Sequence, residues 1–381
     1  MSTANEAHTG EAVPCRVVSQ QTERPDQDTA EPQPPRPRRG GPARRTWTLV
    51  WSFVLVAAIG LLGGVVSIPY VAIGPGPTFN TLGSVDGTTV ISVQGQNTFP
   101  TKGELRMVTV SLTDSITLFG ALGLWASGRY SLAPREEYFK PGESQQDVQK
   151  ENVQQFTDSQ SNAQVAALRY LGYPMKVLVG SISQGSPVTG VLNAGDRLLA
   201  VNGAKVSTSQ QVQDALKNTK PGQAVPVTFQ HGSSPEQTAT ITLGHSDDRT
   251  WGFMGIGPID RPDVPFQVKI SLADVGGPSA GLIFALTIID KLTPDNLNNG
   301  GDIAGTGEID DQGNVKPIGG IPFKMIAARE AGATAFLVPA ANCDEAKAHA
   351  PDGLKMIKVT TLADAVSSLQ ALKEGKPTPG C

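Results

Sequence analysis

The chain has 381 residues, room for two or three domains beside any tails. Its hydrophobic share of 39% and charged share of 17% read as globular material diluted by Gly- and Pro-rich stretches. A formal net charge of −4 gives no whole-chain basic field, which excludes a nucleic-acid partner on charge grounds. No zinc-type Cys/His spacing and no Gly-x-x-x-x-Gly-Lys-Ser/Thr phosphate loop occurs, so neither a metal, another cofactor nor ATP is expected.

Residues 1–45 are rich in Pro, Gln, Glu, Arg, Thr and Gly and lack aliphatic clusters, the composition of a disordered tail. No charged residue occurs from Thr46 to Val85, and Trp47 to Ile68 is apolar enough to span about 30 Å of hydrocarbon. Trp47 and Trp51 suit one membrane interface and Tyr70 the other. Arg36, Arg38, Arg39, Arg44 and Arg45 precede this segment, and Lys102 is the first basic residue after it. The positive-inside rule therefore puts the N-terminus in the cytoplasm and everything beyond Tyr70 outside. A cleaved signal peptide would have a far shorter charged region, so retention as an anchor is expected. Cys15 would then be separated from Cys343 and Cys381, which either pair as a disulfide pinning the tail or remain free thiols.

Gly74-Pro75-Gly76-Pro77 reads as a turn-rich exit from the membrane. Thr88–Val93 and Leu105–Val110 read as strands, and Asp147–Leu171 as a helix with Val153, Phe156, Ala163, Ala166 and Ala167 on its inner face. No chemistry is legible here, and the region reads as a structural collar.

Val177-Leu178-Val179, then Gly185-Ser186-Pro187 and Leu192-x-x-Gly195-Asp196-Arg197-Leu198-x-x-Val201-Asn202-Gly203, precede a helix start at Ser207–Ser209. Strands follow at Val225–Phe229 and Ala239–Leu243. This order resembles a PDZ domain, which implies a small β-barrel-like module that takes extended peptides as an added strand. By that analogy the peptide would lie along Leu171, Gly172, Tyr173, Met175 and Val177, although Pro174 removes an amide that such a loop uses. A plain spacer module is the alternative.

Pro265–Ile270 reads as a strand, and Leu282–Asp290 as a buried helix. Between them, Gly276-Gly277-Pro278-Ser279-Ala280-Gly281 places Ser279 at a helix mouth, among unpaired amides able to hold an oxyanion. Ser279 could equally be an N-cap. Asp302–Val315 reads as a hairpin turning at Asp311–Asn314, followed by a helix Ile321–Ala331 with Pro322 in its first turn. Lys324 lies on that apolar helix, either snorkelling to water or desolvated toward the pKa of a general base. Gly332–Pro339 and Lys355–Val359 read as strands and Thr361–Leu372 as a closing helix.

Gly276–Gly281, followed 45 residues after the serine by Lys324 in Pro317–Gly332, closely resembles the proteolytic domain of Lon proteases over about residues 250–370. With the PDZ-like unit and the anchor, the chain resembles a PDZ-containing Lon-like protease of bacterial membranes. The resemblance implies Ser279 as nucleophile, Lys324 as base and Thr306 as the residue orienting the lysine, with the Gly277 and Ser279 amides as oxyanion donors. It implies protein or peptide substrates and is compatible with a homo-oligomer. Lon itself carries an ATP-driven unfolding domain that has no counterpart here, so ATP-independent cleavage of unfolded or flexible substrates is expected, outside the cytoplasm by the charge rule above. Many Lon sequences carry Lys-Asp where this chain has Val275 and Gly276.

The expected architecture is thus multidomain: a cytoplasmic tail (1–45), one transmembrane helix (46–70), a β-rich membrane-proximal region (71–172), a PDZ domain (173–246) and an α+β Lon-type proteolytic domain (250–375). Gly277–Gly281 also fits the Gly-x-Ser-x-Gly elbow of α/β-hydrolases, but His349 is the one histidine downstream and no oxyanion loop of that family is present. The remaining alternative is a tethered PDZ adaptor whose protease-like domain is inactive.

Overall fold

The computed structural model describes residues 44–139, 142, 145–272 and 275–381; the predicted tail up to residue 43 lies outside the described residues. The chain divides into two units, 1–58 and 59–381. Helix α1 (Arg44–Val65) begins in the first and ends in the second. Its side chains are exposed throughout except at Gly63, and its mean hydropathy of 2.2 makes it the one helix among the described residues long and apolar enough to cross a membrane.

Within 59–381, α1 leads into β1 (Tyr70–Asn80), the hairpin β2 (Ser84–Val85) and β3 (Thr88–Thr89), β4 (Ile91–Gln94) and β5 (Glu104–Thr113). Helix α2 (Leu118–Ala126), β6 (Ser131–Pro134) and α3 (Gln145–Tyr170) follow. The PDZ-like unit comprises β7 (Met175–Ile182), β8 (Arg197–Val201), β9 (Ala204–Lys205), α4 (Ser209–Leu216), β10 (Ala224–Gln230), β11 (Gln237–Thr242) and β12 (Ile256–Pro262). The rest runs β13 (Gln267–Ile270), α5 (Gly281–Leu292), β14 (Asp302–Gly305), β15 (Glu308–Ile309), β16 (Val315–Lys316), α6 (Ile321–Glu330), β17 (Ala335–Pro339), α7 (Cys343–Ala348), β18 (Lys355–Val359) and α8 (Leu362–Lys373).

The central sheet has the order β18-β17-β14-β5-β1-β6. Half of it comes from 70–134 and half from 302–359, so the membrane-proximal region is not a separate collar. The seam is the parallel pair β5/β14, with Glu104 opposite Asp302 and Met107 opposite Gly305. The Arg106 guanidinium crosses it to Asp302 (2.8 Å). β4 and β13 repeat the join outside the sheet. Both faces are covered: Leu105, Met107, Ile303 and Leu337 point toward a core with α3, α5 and α8, while Val108, Ala304, Phe336 and Val338 point toward α6 and α7. The Asp302–Val315 hairpin is correspondingly confined to β15 and β16, because β14 is an interior parallel strand.

Gly74–Pro77 is not a turn but part of β1, with a register break between Pro75 and Thr78 opposite β5. β6 pairs only with Tyr70–Ile73, so among the described residues the prolines fall where β1 has a strand partner on one side alone, as suits proline in a sheet. Cys343 and Cys381 form a disulfide with a Cα–Cα distance of 5.1 Å. The Lys358 amide donates to Pro379 O (2.9 Å), fixing the tail along β18.

Candidate active site

Lys324 enters the site through the first turn of α6. Gly320 starts that helix in the left-handed region (φ 70°), and the Lys324 amide donates to Gly320 O (3.2 Å). Ile321, Met325 and Ala328 bury the helix against the sheet, and the Lys324 side chain goes in with them, at 4% exposure. No carboxylate accompanies it among the described residues. Burial alone lowers its pKa from 10.5 to about 8. Its Nζ donates to Thr306 Oγ1 (3.4 Å), and Thr306 Oγ1 in turn donates to Ser279 O (3.1 Å). Thr306 is fully buried.

Ser279 lies two residues before α5, in the loop entering that apolar helix. Gly307 N also donates to Ser279 O (2.9 Å), so the carbonyl is held from two sides and the side chain is left at the loop surface. Two adjoining clefts, of about 290 and 860 Å³, share Val110, Gly276, Gly277, Ser279 and Lys324 in their walls. The fold thus brings Ser279, Thr306 and Lys324 together from three segments. Among the described residues no hydrogen bond joins Lys324 Nζ to Ser279 Oγ.

The predicted oxyanion donor Gly277 is otherwise engaged: its amide donates to Asn152 O of α3 (2.9 Å). The amides of Ser279 and Ala280 donate no hydrogen bond among the described residues. Helix α3 braces this loop a second time, through Ser159 Oγ donating to Pro278 O (2.9 Å). A Cβ on Gly276 would fall 2.8 Å from Asn152 Cβ, so the loop packs directly on that helix. The bracing residues are not legible in sequence, because a Ser hydroxyl and an Asn backbone carbonyl carry no signal of what they meet.

One cleft wall comes from the supposed collar: Pro77, Phe79 and Met107–Ser111. β14 pairs only with 104–107 of β5, so among the described residues 108–113 have no strand partner on that side, and 108–112 line the clefts that hold Ser279.

The PDZ-like unit requires a second correction. Its sheet order is β11-β10-β8-β7-β12, so β7 is an interior strand, and Met175 and Val177 on it already face partners in β12. Leu171, Tyr173 and Met175 pack on the catalytic core, Tyr173 edge-on to Phe266 with ring centroids 5.4 Å apart. Among the described residues β11 and β12 are the outer strands, and α4 approaches β12 through Ser209 Oγ and N, both donating to Asp260 Oδ1 (2.6 Å). Pro258 and Pro262 within β12 are the sequence signal for an edge strand.

Comparison with known proteins agrees with this division. The family model for the Lon protease (S16) C-terminal proteolytic domain matches residues 270–372, and that for the PDZ domain matches 148–243. The PDZ match begins inside α3 and stops short of β12. Among curated relatives, Lon protease 1 of Sorangium cellulosum is 35% identical over 118 residues, and Lon protease of Campylobacter concisus 36% over 118 residues. Each alignment covers 30% of this chain and 14% of the relative, so the chain spans about one-seventh of their length. Among solved structures, the PDZ domain of the SdrC-like protein from Listeria monocytogenes is 30% identical, covering 22% of this chain and 86% of that one at a TM-score of 0.20. Residues 270–372 thus match the Lon protease (S16) C-terminal proteolytic domain, joined in one chain to a match to the PDZ domain.

Proposed function

We propose that the chain is a membrane-anchored, ATP-independent serine endopeptidase acting outside the cytoplasm on unfolded or flexible proteins, with Ser279 as nucleophile and Lys324 as general base. The observation that carries this reading is a buried lysine with no carboxylate partner, its pKa lowered to about 8, lining the same clefts as a serine whose amide, like that of Ala280, donates no hydrogen bond among the described residues. Near neutral pH a useful fraction of such an amine is uncharged and able to accept the hydroxyl proton.

Neutral Lys324 takes the proton of Ser279, and Oγ attacks the scissile carbonyl. The amides of Ser279 and Ala280 are placed to hold the oxyanion. The Lys324 ammonium then protonates the leaving amine, and water deprotonated by the same amine releases the acyl group. The Nζ–Oγ hydrogen bond forms when substrate fills the cleft, as catalytic contacts commonly tighten on binding. Thr306 keeps the amine aimed. The edge of β5 at 108–113, without a strand partner on the β14 side among the described residues, suits an extended polypeptide lying beside Ser279, which favours flexible chains over folded ones. The outer strand β12 beside α4 is the matching place for a peptide on the PDZ domain.

The apolar α1 behind an Arg-rich segment supports the anchor and its direction, and the Cys343–Cys381 bridge suits an oxidising compartment. The absence of a phosphate-binding loop from the sequence supports ATP independence.

A serine-directed activity probe on the purified full chain tests the chemistry. Labelling and cleavage of an unfolded protein without ATP are expected, and both vanish in Ser279→Ala and Lys324→Ala. Persistent cleavage by Ser279→Ala refutes the assignment.

A further inference from the structure

Helix α2 is unlike the other surface helices of the catalytic body. From Ser115 to Gly128 the chain carries no charge, and α2 reads LFGALGLWA. One side is accounted for: Ala121 is buried with Ala72 and Ile116, and Leu124 packs at the margin of that cluster. The opposite side exposes Leu118 (42%), Phe119 (48%), Leu122 (48%) and Trp125 (63%). Positions 118, 122 and 125 are spaced by four and three residues, so they line one stripe of the helix. With Phe119 beside them, these three side chains form the kind of apolar patch that marks an interaction surface.

The position of this stripe identifies what covers it. The Ile68 amide donates to Ile116 O (2.9 Å), and Ser67 and Thr117 form a β-bridge, so the start of α2 is tied to the end of α1. Gly63, the one buried residue of α1, faces the Phe119 ring, and a Cβ there would fall 2.8 Å from Phe119 Cε2. Around it Leu62, Val65 and Val66 are exposed, which makes the apolar surface of the last α1 turn continuous with that of α2. Those residues sit where a spanning helix leaves the hydrocarbon, and Trp125 ends the stripe with the side chain most favoured at that depth.

We propose that α2 is an interfacial docking helix whose Leu118, Phe119, Leu122 and Trp125 face enters the lipid bilayer beside the emerging end of α1, holding the catalytic body on the membrane surface. This rests on the reading of α1 as a membrane anchor. A lone α1 would tether the body loosely; a second apolar helix clamped to its end gives the body a defined orientation and keeps the clefts at a set height above the lipid.

The test uses the full chain, Cys15→Ser, in phosphatidylcholine/phosphatidylglycerol vesicles, with a single NBD label at Leu122→Cys, and at Val56→Cys and Ser234→Cys as references. Trp125→Cys repeats the measurement at a second point of the stripe. Doxyl-labelled lipid is expected to quench the label at 122, 125 and 56 by at least twofold and to leave 234 unaffected, whereas iodide quenches only 234. Iodide quenching at 122 and 125 with lipid quenching intact at 56 overturns docking and leaves the anchor standing. Shielding of 122 and 125 from both agents, lost as the protein is diluted in lipid, assigns the stripe to a second copy and also overturns it. Iodide quenching at 56 as well removes the anchor and the docking with it.

Discussion

At the scale of single residues, burying Lys324, the proposed base, costs stability. Its pKa falls from 10.5 to about 8 on folding, so between those values the unfolded chain binds more protons and stability rises with pH. Below pH 8 both states carry the proton and the burial penalty is present in full, of the order of 3 kcal/mol for a depression of this size. Lys324→Met keeps the volume and removes the charge, and is expected to stabilise the protein by about 1–3 kcal/mol at pH 7. The gain should shrink toward pH 10, which urea melts at the two pH values would read. Activity should be lost in the same variant. In the wild type, kcat/KM should climb roughly tenfold per unit below pH 8 and level off above it. Thr306→Val removes the oxygen that accepts from the ammonium while keeping the shape. The charged form then loses its partner, so the inflection should move to lower pH while the plateau falls about tenfold or more. A variant that lowers the plateau at an unmoved inflection would mean that Thr306 supports the fold without acting on the amine.

At the scale of elements, what the sequence makes legible tracks how local each signal is. Ser279 and Lys324 stand in short strings whose glycines, proline and apolar flanks announce a loop before a helix, Thr306 stands in a Gly-Thr-Gly-Glu string between β14 and β15, and α5, α6 and α8 are legible from their own apolar runs. The partnership of β5 with β14 is not local: Glu104 meets Asp302 across nearly 200 residues, and nothing in either strand names the other. The supposed collar therefore hid half of a sheet and one wall of the cleft. The PDZ edge was misplaced for a related reason, since the strand that closes the unit, β12, lies beyond the segment whose motif is recognisable. Asp260 of β12 also links elements that look independent in sequence. Its fully buried carboxylate takes Ser209 of α4 on one oxygen and the Arg169 guanidinium of α3 on the other, and Arg169 reaches Asp311 O in the β15–β16 turn as well. Arg169→Leu leaves that carboxylate without its cation and is expected to cost about 3 kcal/mol in urea unfolding. Adding Asp260→Asn should return part of the loss, and strict additivity of the two changes would show that the pair is not coupled.

At the scale of the whole molecule, the disulfide closes a loop of 38 residues that contains α7 and α8 and returns the tail to the helix bearing the catalytic candidate. Cys343 is buried in the cluster that holds Ile321 and Met325 of α6, and Cys381 packs against the same cluster. The bridge therefore supports α6, the helix that carries Lys324. Chain-entropy arguments put a loop of this length at about 3–4 kcal/mol. Cys381→Ser, or reduction of the wild type, is expected to lower stability by that amount and to shorten the half-life of activity at elevated temperature. Because Ser279, Thr306 and Lys324 keep their contacts in the folded state, the pH profile at 25 °C should stay where it is. A shifted profile at unchanged thermal stability would place the bridge in the chemistry instead of the scaffold. The expected result would also bear on the proposed compartment: a helix secured by a disulfide is held longest where disulfides persist.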